Sequence, residues 1–373
     1  MIAPKKKELR LAWLGANPAL TWGLSIVTRE LLKRLKGFEK FILALQREPM
    51  ESMGTPSYRV YTANKSEGVI HWLRFIKPDV IVIYNPVQWL NHYADAMKKM
   101  DYVTDAPIIT YLTVELEPLL PFFAEKIHEI QPEIVITPSK WSSSVFEKEG
   151  FTTDYLYHGV DTRIFHPMPL VKQQREKFIY GCITRNDNRK GIPRLIKAFS
   201  MLPDKDKCSL NLNCSSKERL LGSDLDIVGG LYKTTEGIDF HEMTVLGIPL
   251  DTTFMGSMYN YFDVHVLPTS GEAFGLPILE SQACGIPNIV TDLPVLREIY
   301  EDTVMYVPTD GYTVTDRGEM PLIDIDALAA RMEILRLDQD RCQELAKKGI
   351  EHAKKYTWED AALKLTKILH EYL

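Results

Sequence analysis

The sequence predicts an α/β protein built from two doubly wound domains. Three observations carry that prediction. Its 373 residues exceed one ordinary core. Continuous β-branched runs alternate with amphipathic segments in both halves. Between the halves the alternation stops at a stretch punctuated by Pro167 and Pro169 and followed by the charged segment Lys172 to Lys177.

In the first half, Leu9 to Leu14 reads as a buried strand and Ser25 to Leu35 as an amphipathic helix. Phe41 to Leu45 is a second strand and Val69 to Ile76 a second helix. Asp79 to Tyr84 (Asp-Val-Ile-Val-Ile-Tyr) is the clearest buried strand, and Pro107 to Leu112 and Glu133 to Ile136 repeat it. The second series opens at Phe178 to Ile183 and continues with strands at Ser209 to Asn213, Val264 to Leu267 and Asn288 to Thr291. Its helices include Pro193 to Ser200 and Asp326 to Leu335. This gives an N-terminal domain over 1–168 and a C-terminal domain over 169–357. Open α/β sheets bind ligands beyond the carboxyl ends of their strands, so a cleft between the halves is the expected site.

Composition narrows the function. The formal net charge of -6 is mild for this length and does not suit general nucleic-acid binding. Lys5, Lys6 and Lys7 read as a solvated terminus, with a peripheral membrane contact as the alternative. No segment reaches the ~18 consecutive apolar residues of a spanning helix. The first residues lack a signal peptide's apolar run, since Gly15 interrupts it at once. The five cysteines form no CxxC pair and fit free thiols in a reducing compartment. Together these set the expectation of a cytoplasmic protein.

Three loops can carry chemistry. The first strand leads into Gly15 to Leu24, where Gly23 would let a phosphate or sugar approach the amides of a helix start. This loop is not GxGxxG, and no acid ends the second strand, which disfavours a nicotinamide-dependent dehydrogenase. After Phe178 to Ile183 come Arg185, Arg189 and Lys190. Arg185 offers a bidentate fork for phosphate and Lys190 a flexible point charge. The stretch Pro268 to Pro287 is the most informative. Glu272 lies in a loop folded by Gly271 and Gly275. Glu280 lies inside the following helix, which starts near Pro277 and ends at Gly285. Neighbours Ile278, Leu279, Ala283 and Cys284 make that helix a buried one, where a carboxylate needs partners such as sugar hydroxyls. The helix-start amides after Phe274 and Gly275 suit a phosphate.

These residues resemble the retaining glycosyltransferases of the GT-B fold, in particular family 4. The family's E-x7-E signature is matched by Glu272 and Glu280 in Pro-Thr-Ser-Gly-Glu-Ala-Phe-Gly-Leu-Pro-Ile-Leu-Glu-Ser-Gln-Ala-Cys-Gly-Ile-Pro. Arg185 to Gly191 is similar to its R-x4-K-G, and Gly159-Val160-Asp161 with Phe165 and Pro167 to the segment leading out of its first domain. Thr21 to Leu31 is similar to its first Gly loop and helix, and Tyr356 to Glu359 to the start of its C-terminal helix, which implies that a helix over 358–373 crosses back to join the first domain. The resemblance implies a hexosyltransferase taking a nucleotide-diphosphate sugar and passing the sugar to an acceptor hydroxyl with retained configuration. Arg185 and Lys190 would neutralise the diphosphate, Glu280 would hold the ribose and Glu272 the donor sugar. The backbone of Phe274, Gly275 and Leu276 would contact sugar and phosphates, and Gly23 would leave room for the diphosphate.

It further implies work without a metal or other cofactor. Asp224-Leu225-Asp226 has the letters of a metal loop but reads as a solvated loop. Many relatives carry a histidine after the strand matching Pro107 to Leu112; here the segment is Thr113-Val114-Glu115-Leu116-Glu117, and either Glu115 or Glu117 would replace its contact, or the loop would shape the acceptor pocket. His158 reads as structural. Donor base, sugar and acceptor (lipid, glycan, protein or small molecule) stay open, as does oligomeric state. Two other functions remain in view: an epimerase or phosphorylase of the same architecture, and a non-catalytic nucleotide-sugar binding protein.

Overall fold

The computed structural model describes residues 8–20, 22–45, 59–63, 66–98, 105–169, 176–214, 222–240, 244–245, 248–249 and 252–373. The Lys5 to Lys7 run, Thr21 and residues 172–175 of the charged segment lie outside the described residues. The chain divides into two compact units, residues 1–158 with 358–373, and residues 159–357.

In the first unit, β1 (Leu9–Gly15), β2 (Phe38–Leu45), β3 (Arg59–Ala63), β4 (Val80–Pro86), β5 (Ile108–Thr113), β6 (Ile134–Thr137) and β7 (Thr153–Tyr155) form one sheet in the order β3-β2-β1-β4-β5-β6-β7. Every pairing is parallel. The helices are α1 (Gly23–Arg34), α2 (Ser66–Ile76), α3 (Asn91–Met97), α4 (Pro121–Ile130) and α5 (Lys140–Glu147). Helix burial of both faces explains why β4 reads as an unbroken apolar run: Val80, Ile81, Val82 and Ile83 are all inaccessible to solvent. The strands and helices read from the sequence are all present. The strands it passed over, β3 and β7, are five and three residues long and lie at the sheet's two edges, and helices α3, α4 and α5 were passed over as well. A strand with one neighbour needs less apolar patterning and leaves a weaker signal.

The C-terminal helix, α13 (Trp358–Glu371), belongs to the first unit. Arg34 of α1 donates to Glu359 at 2.7 Å, the Phe38 ring lies 5.4 Å from that of His370, and Trp358 stacks on His158 at 5.8 Å. His158 Nε2 also lies 2.7 Å from the Tyr111 hydroxyl, which donates to the Leu156 carbonyl. Burial pushes the His158 imidazole down to about 3, so it stays neutral in the core.

The second unit repeats the plan. Strands β8 (Phe178–Ile183), β9 (Cys208–Asn213), β10 (Ile238–Phe240), β13 (Val264–Leu267), β14 (Asn288–Thr291) and β15 (Met305–Val307) pair in parallel in the order β10-β9-β8-β13-β14-β15. Two small hairpins, β11 (Thr244–Val245) with β12 (Ile248–Pro249) and β16 (Thr309–Thr315) with β17 (Gly318–Ile323), stand apart from it. The helices are α6 (Ile192–Ser200), α7 (Leu225–Leu231), α8 (Thr252–Tyr261), α9 (Leu276–Ala283), α10 (Pro294–Tyr300), α11 (Ile325–Leu337) and α12 (Gln339–Ala353). The sequence places the domain boundary after residue 168; in the structure residues 159–169 group with the second unit. Asn260 holds them there, accepting from Met168 N at 2.6 Å and donating to His166 O at 2.9 Å. Phe165 lies edge-on to Tyr259 at 5.9 Å.

Candidate functional site

In the second sheet the strand order runs outward in one direction from β8 and in the other from β13, so these neighbours mark the topological switch point. The loops leaving their carboxyl ends, 184–191 and 268–275, are therefore adjacent. They are also the two loops the sequence singled out.

Backbone contacts bind the loops together. Ser270 N donates to Arg189 O at 2.7 Å. Gly191 has φ +66, and a Cβ there would sit 2.1 Å from Pro268 O, so only glycine permits this approach. Gly275 (φ +93) turns the second loop into α9 with no side-chain cap, and its carbonyl accepts from the Tyr300 hydroxyl at 2.7 Å. Pro277 in the first turn of α9 costs no helix hydrogen bond there. The segment Ala273, Phe274 and Leu276 is buried throughout, with Phe274 edge-on to Tyr356 at 6.0 Å.

The side chains divide by burial. Arg185 is exposed and donates to Asp187 at 2.9 Å. Asp187 is buried and also accepts from Arg189 N at 3.0 Å. Burial opposes its charge, but that amide and the Arg189 and Arg185 guanidiniums hold its carboxyl below the usual range. Asn186, also buried, donates to Ser223 O at 2.7 Å and accepts from Ser223 N at 3.2 Å. Lys190 donates to Glu272, which is only 7% exposed. Arg189, 7% exposed as well, donates to Gly271 O and lies 3.7 Å from Glu272. Burial works against the Glu272 carboxylate, yet the Lys190 and Arg189 charges outweigh it and keep its pKa below the ordinary value. Glu280, 8% exposed in α9, accepts from the Tyr259 hydroxyl at 2.8 Å. Burial, with the Glu280 charge and this bond behind it, pushes that phenol well above its usual range.

The structure thus brings Lys190, Glu272, Phe274, Gly275 and Leu276 into one pair of packed loops, with Arg185 on the exposed side and Glu280 in the helix that follows. Arg189 is the residue that sequence reasoning passed over. It counted as one of three loop cations, and its burial beside Glu272 had no signal in the letters around it. Gly23 opens α1 beyond the carboxyl end of β1, with open space where a Cβ would stand. Glu115, half-buried, follows the carboxyl end of β5. Both lie at the ligand-binding edge of the first unit's own sheet.

One reading needs correction. Asp224 and Asp226 do not form a solvated loop: Asp224 caps α7, accepting from Ile227 N at 3.2 Å, and Asp226 lies in that helix's first turn. Among the described residues, no group of three or more His, Cys, Asp or Glu is arranged to hold a metal ion. No described helix is long and apolar enough to cross a membrane.

Residues 177–338 match the family model described as glycosyl transferases group 1. The D-inositol 3-phosphate glycosyltransferase of Thermobispora bispora is 31% identical over 119 residues, 32% of this chain and 25% of that protein. The O-antigen chain mannosyltransferase B of Escherichia coli is 29% identical over 175 residues, 46% of this chain and 40% of that one. The matched stretch thus spans less than half the length of these relatives. Among solved structures, sucrose-phosphate synthase from Thermosynechococcus elongatus superimposes with a TM-score of 0.81 at 18% identity, covering 98% of this chain and 99% of that one. Anabaena HepE in complex with UDP and glucose gives 0.76 at 14% identity, covering 98% and 100%.

Two Rossmann-like sheets of this order, with these neighbours, define a two-domain protein of the GT-B fold. Within that fold, the second unit carries the stretch, residues 177–338, that is similar to the glycosyl transferases group 1 model.

Proposed function

We propose that this protein transfers a hexosyl group from a nucleotide-diphosphate sugar to an acceptor hydroxyl, keeping the anomeric configuration. The observation that carries the proposal is the pairing of loops 184–191 and 268–275 at the switch point. It gathers three cations and a buried, ionised Glu272 beside the start of α9. A diphosphate suits the exposed fork of Arg185 together with Lys190 and the amides that follow Gly275. Glu272 then accepts from donor-sugar hydroxyls, and Glu280 from the ribose.

In the reaction, the acceptor oxygen forms a bond to the anomeric carbon as the bond from that carbon to the diphosphate oxygen breaks. Arg185 and Lys190 stabilise the negative charge that develops on the leaving diphosphate. The departing diphosphate takes the acceptor's proton on the same face, which accounts for retention without a protein nucleophile. Glu272 positions the sugar and takes no proton. Gly23 would leave room for the diphosphate, and Glu115 would supply the polar contact that a histidine makes in many relatives. The work requires no metal or other cofactor in this scheme.

The test supplies UDP-glucose, GDP-mannose and ADP-glucose in turn and follows nucleoside diphosphate release with and without a panel of glycan, lipid, peptide and small-molecule acceptors. Acceptor-dependent release, an unchanged anomer in the product, and a loss of about a hundredfold in Arg185→Ala are expected. Interconversion of the sugar without release would instead identify an epimerase. Binding without turnover under any acceptor would identify a nucleotide-sugar sensor.

A further inference from the structure

Of the three cations between β8 and α6, Arg189 is the one turned into the protein. A buried guanidinium is expensive to desolvate and persists only where acceptors meet its donors. Here Nη1 donates to the Gly271 carbonyl of the other loop and lies 3.7 Å from the Glu272 carboxylate, at ion-pair distance. Its main chain is anchored at both ends too: Arg189 N donates to Asp187 at 3.0 Å, and Arg189 O accepts from Ser270 N at 2.7 Å.

We infer that Arg189 is a positioning residue: it clamps the Gly271-Glu272 turn against the first loop and so presets the Glu272 carboxylate for the donor's sugar. This rests on the site reading above. Lys190 alone could not do this, because an ammonium is a point charge on a flexible stem and leaves a carboxylate free to swing about it. A rigid guanidinium whose Nη1 is held by the Gly271 carbonyl keeps its charge at one place beside the carboxylate. The two cations also have separable duties. Lys190 lies at the margin of the buried region and can turn from Glu272 to a diphosphate. Arg189, enclosed by both loops, stays on Glu272 throughout.

The chemistry predicts which affinity Arg189 governs. A nucleoside diphosphate has no sugar for Glu272 to hold, so its binding should be nearly indifferent to Arg189. A nucleotide sugar should be sensitive. Calorimetry compares UDP with UDP-glucose, GDP with GDP-mannose and ADP with ADP-glucose, on the full chain and on Arg189→Gln and Arg189→Lys, with kcat and KM for the sugar the wild type accepts. In Arg189→Gln, affinity for the nucleotide sugar relative to its diphosphate is expected to fall at least tenfold, while diphosphate affinity stays within threefold. Arg189→Lys, which keeps charge and stem, should recover part of that preference and serves if the glutamine variant does not fold. Equal weakening of both ligands, or no change in either, would overturn the inference and leave Arg189 a purely structural residue. A wild type that binds none of the six would overturn the site reading itself, and the inference with it.

Discussion

Lys190→Met removes the ammonium that faces Glu272 while keeping most of the apolar stem. Both side chains are nearly enclosed, at 13% and 10% exposure. Breaking one side of such a pair costs roughly 3–5 kcal/mol, because the remaining charge stays buried. Arg189, 3.7 Å from the same carboxylate, offsets part of that loss, so the low end, about 3 kcal/mol, applies. For a unit of this size each kcal/mol shifts the midpoint by about 2–4 °C, giving a fall of about 6–12 °C at pH 7. The pH dependence follows from the direction of the Glu272 shift. Its folded pKa lies below its ordinary value of 4.5, so it stabilises the wild type above that value and the contribution disappears as pH falls through the folded pKa. Without Lys190, burial dominates and the folded pKa rises. The gap between the two proteins is therefore full at pH 7 and narrows below about pH 4.5. Thermal unfolding at pH 7 and pH 4 measures both. A variant melting within 2 °C of wild type at pH 7, as ordered in flanking structure, would refute the pair as a stabilising contact.

Three further outcomes follow from the same geometry. Glu280→Gln keeps an acceptor for Tyr259 and should weaken nucleotide binding with little loss of stability, whereas Glu280→Ala also strands the buried hydroxyl at a cost of about 1–3 kcal/mol; calorimetry beside denaturant unfolding separates the two, and unchanged nucleotide affinity in both removes the ribose role. Gly191→Ala must accommodate a Cβ 2.1 Å from Pro268 O at a positive φ, so it should cost about 2–4 kcal/mol and part the two loops, seen as a lower midpoint with reduced turnover. His158, held down at about 3, binds no proton in the folded state where the unfolded chain does, so stability is full above about pH 6.5 and is lost by up to about 1.4 kcal/mol per unit as pH falls below it. His158→Phe should flatten that part of the stability–pH curve, and a wild-type slope unaltered by the substitution would assign it elsewhere.

Much of this molecule was readable in the letters. Strands β8, β13 and β14 have the bounds read from the sequence, because a strand buried on both faces must be apolar along its whole length. The Pro268 to Pro287 stretch announced itself through spacing, with two glycines, two prolines and two carboxylates whose placement suits a loop turning into a buried helix. The edges were not readable. β10 and β15 are three residues each, and β11 with β12 two each, too short to set a period. The exposed hairpin of β16 and β17 buries little, so its apolar residues Tyr312 and Val314 stand in solvent and give no core pattern.

The sequence by itself determined that there are two doubly wound halves and which loops end their strands, since both follow from local periodicity and turn chemistry. It also carried the Pro268 to Pro287 signature, which lies within the stretch that matches the glycosyl transferases group 1 model. Only the tertiary structure decided how the loop cations are divided. Arg185, Arg189 and Lys190 lie within six positions of one another and carry the same charge, and nothing in their order says which one faces solvent. Parallel pairing of β8 with β13 brings together segments about eighty residues apart, and Gly191 lets them meet backbone to backbone. That approach encloses Arg189 against Glu272, leaves Lys190 at the margin and puts Arg185 outside. Burial and orientation are properties of the packed pair, and neither loop holds them alone.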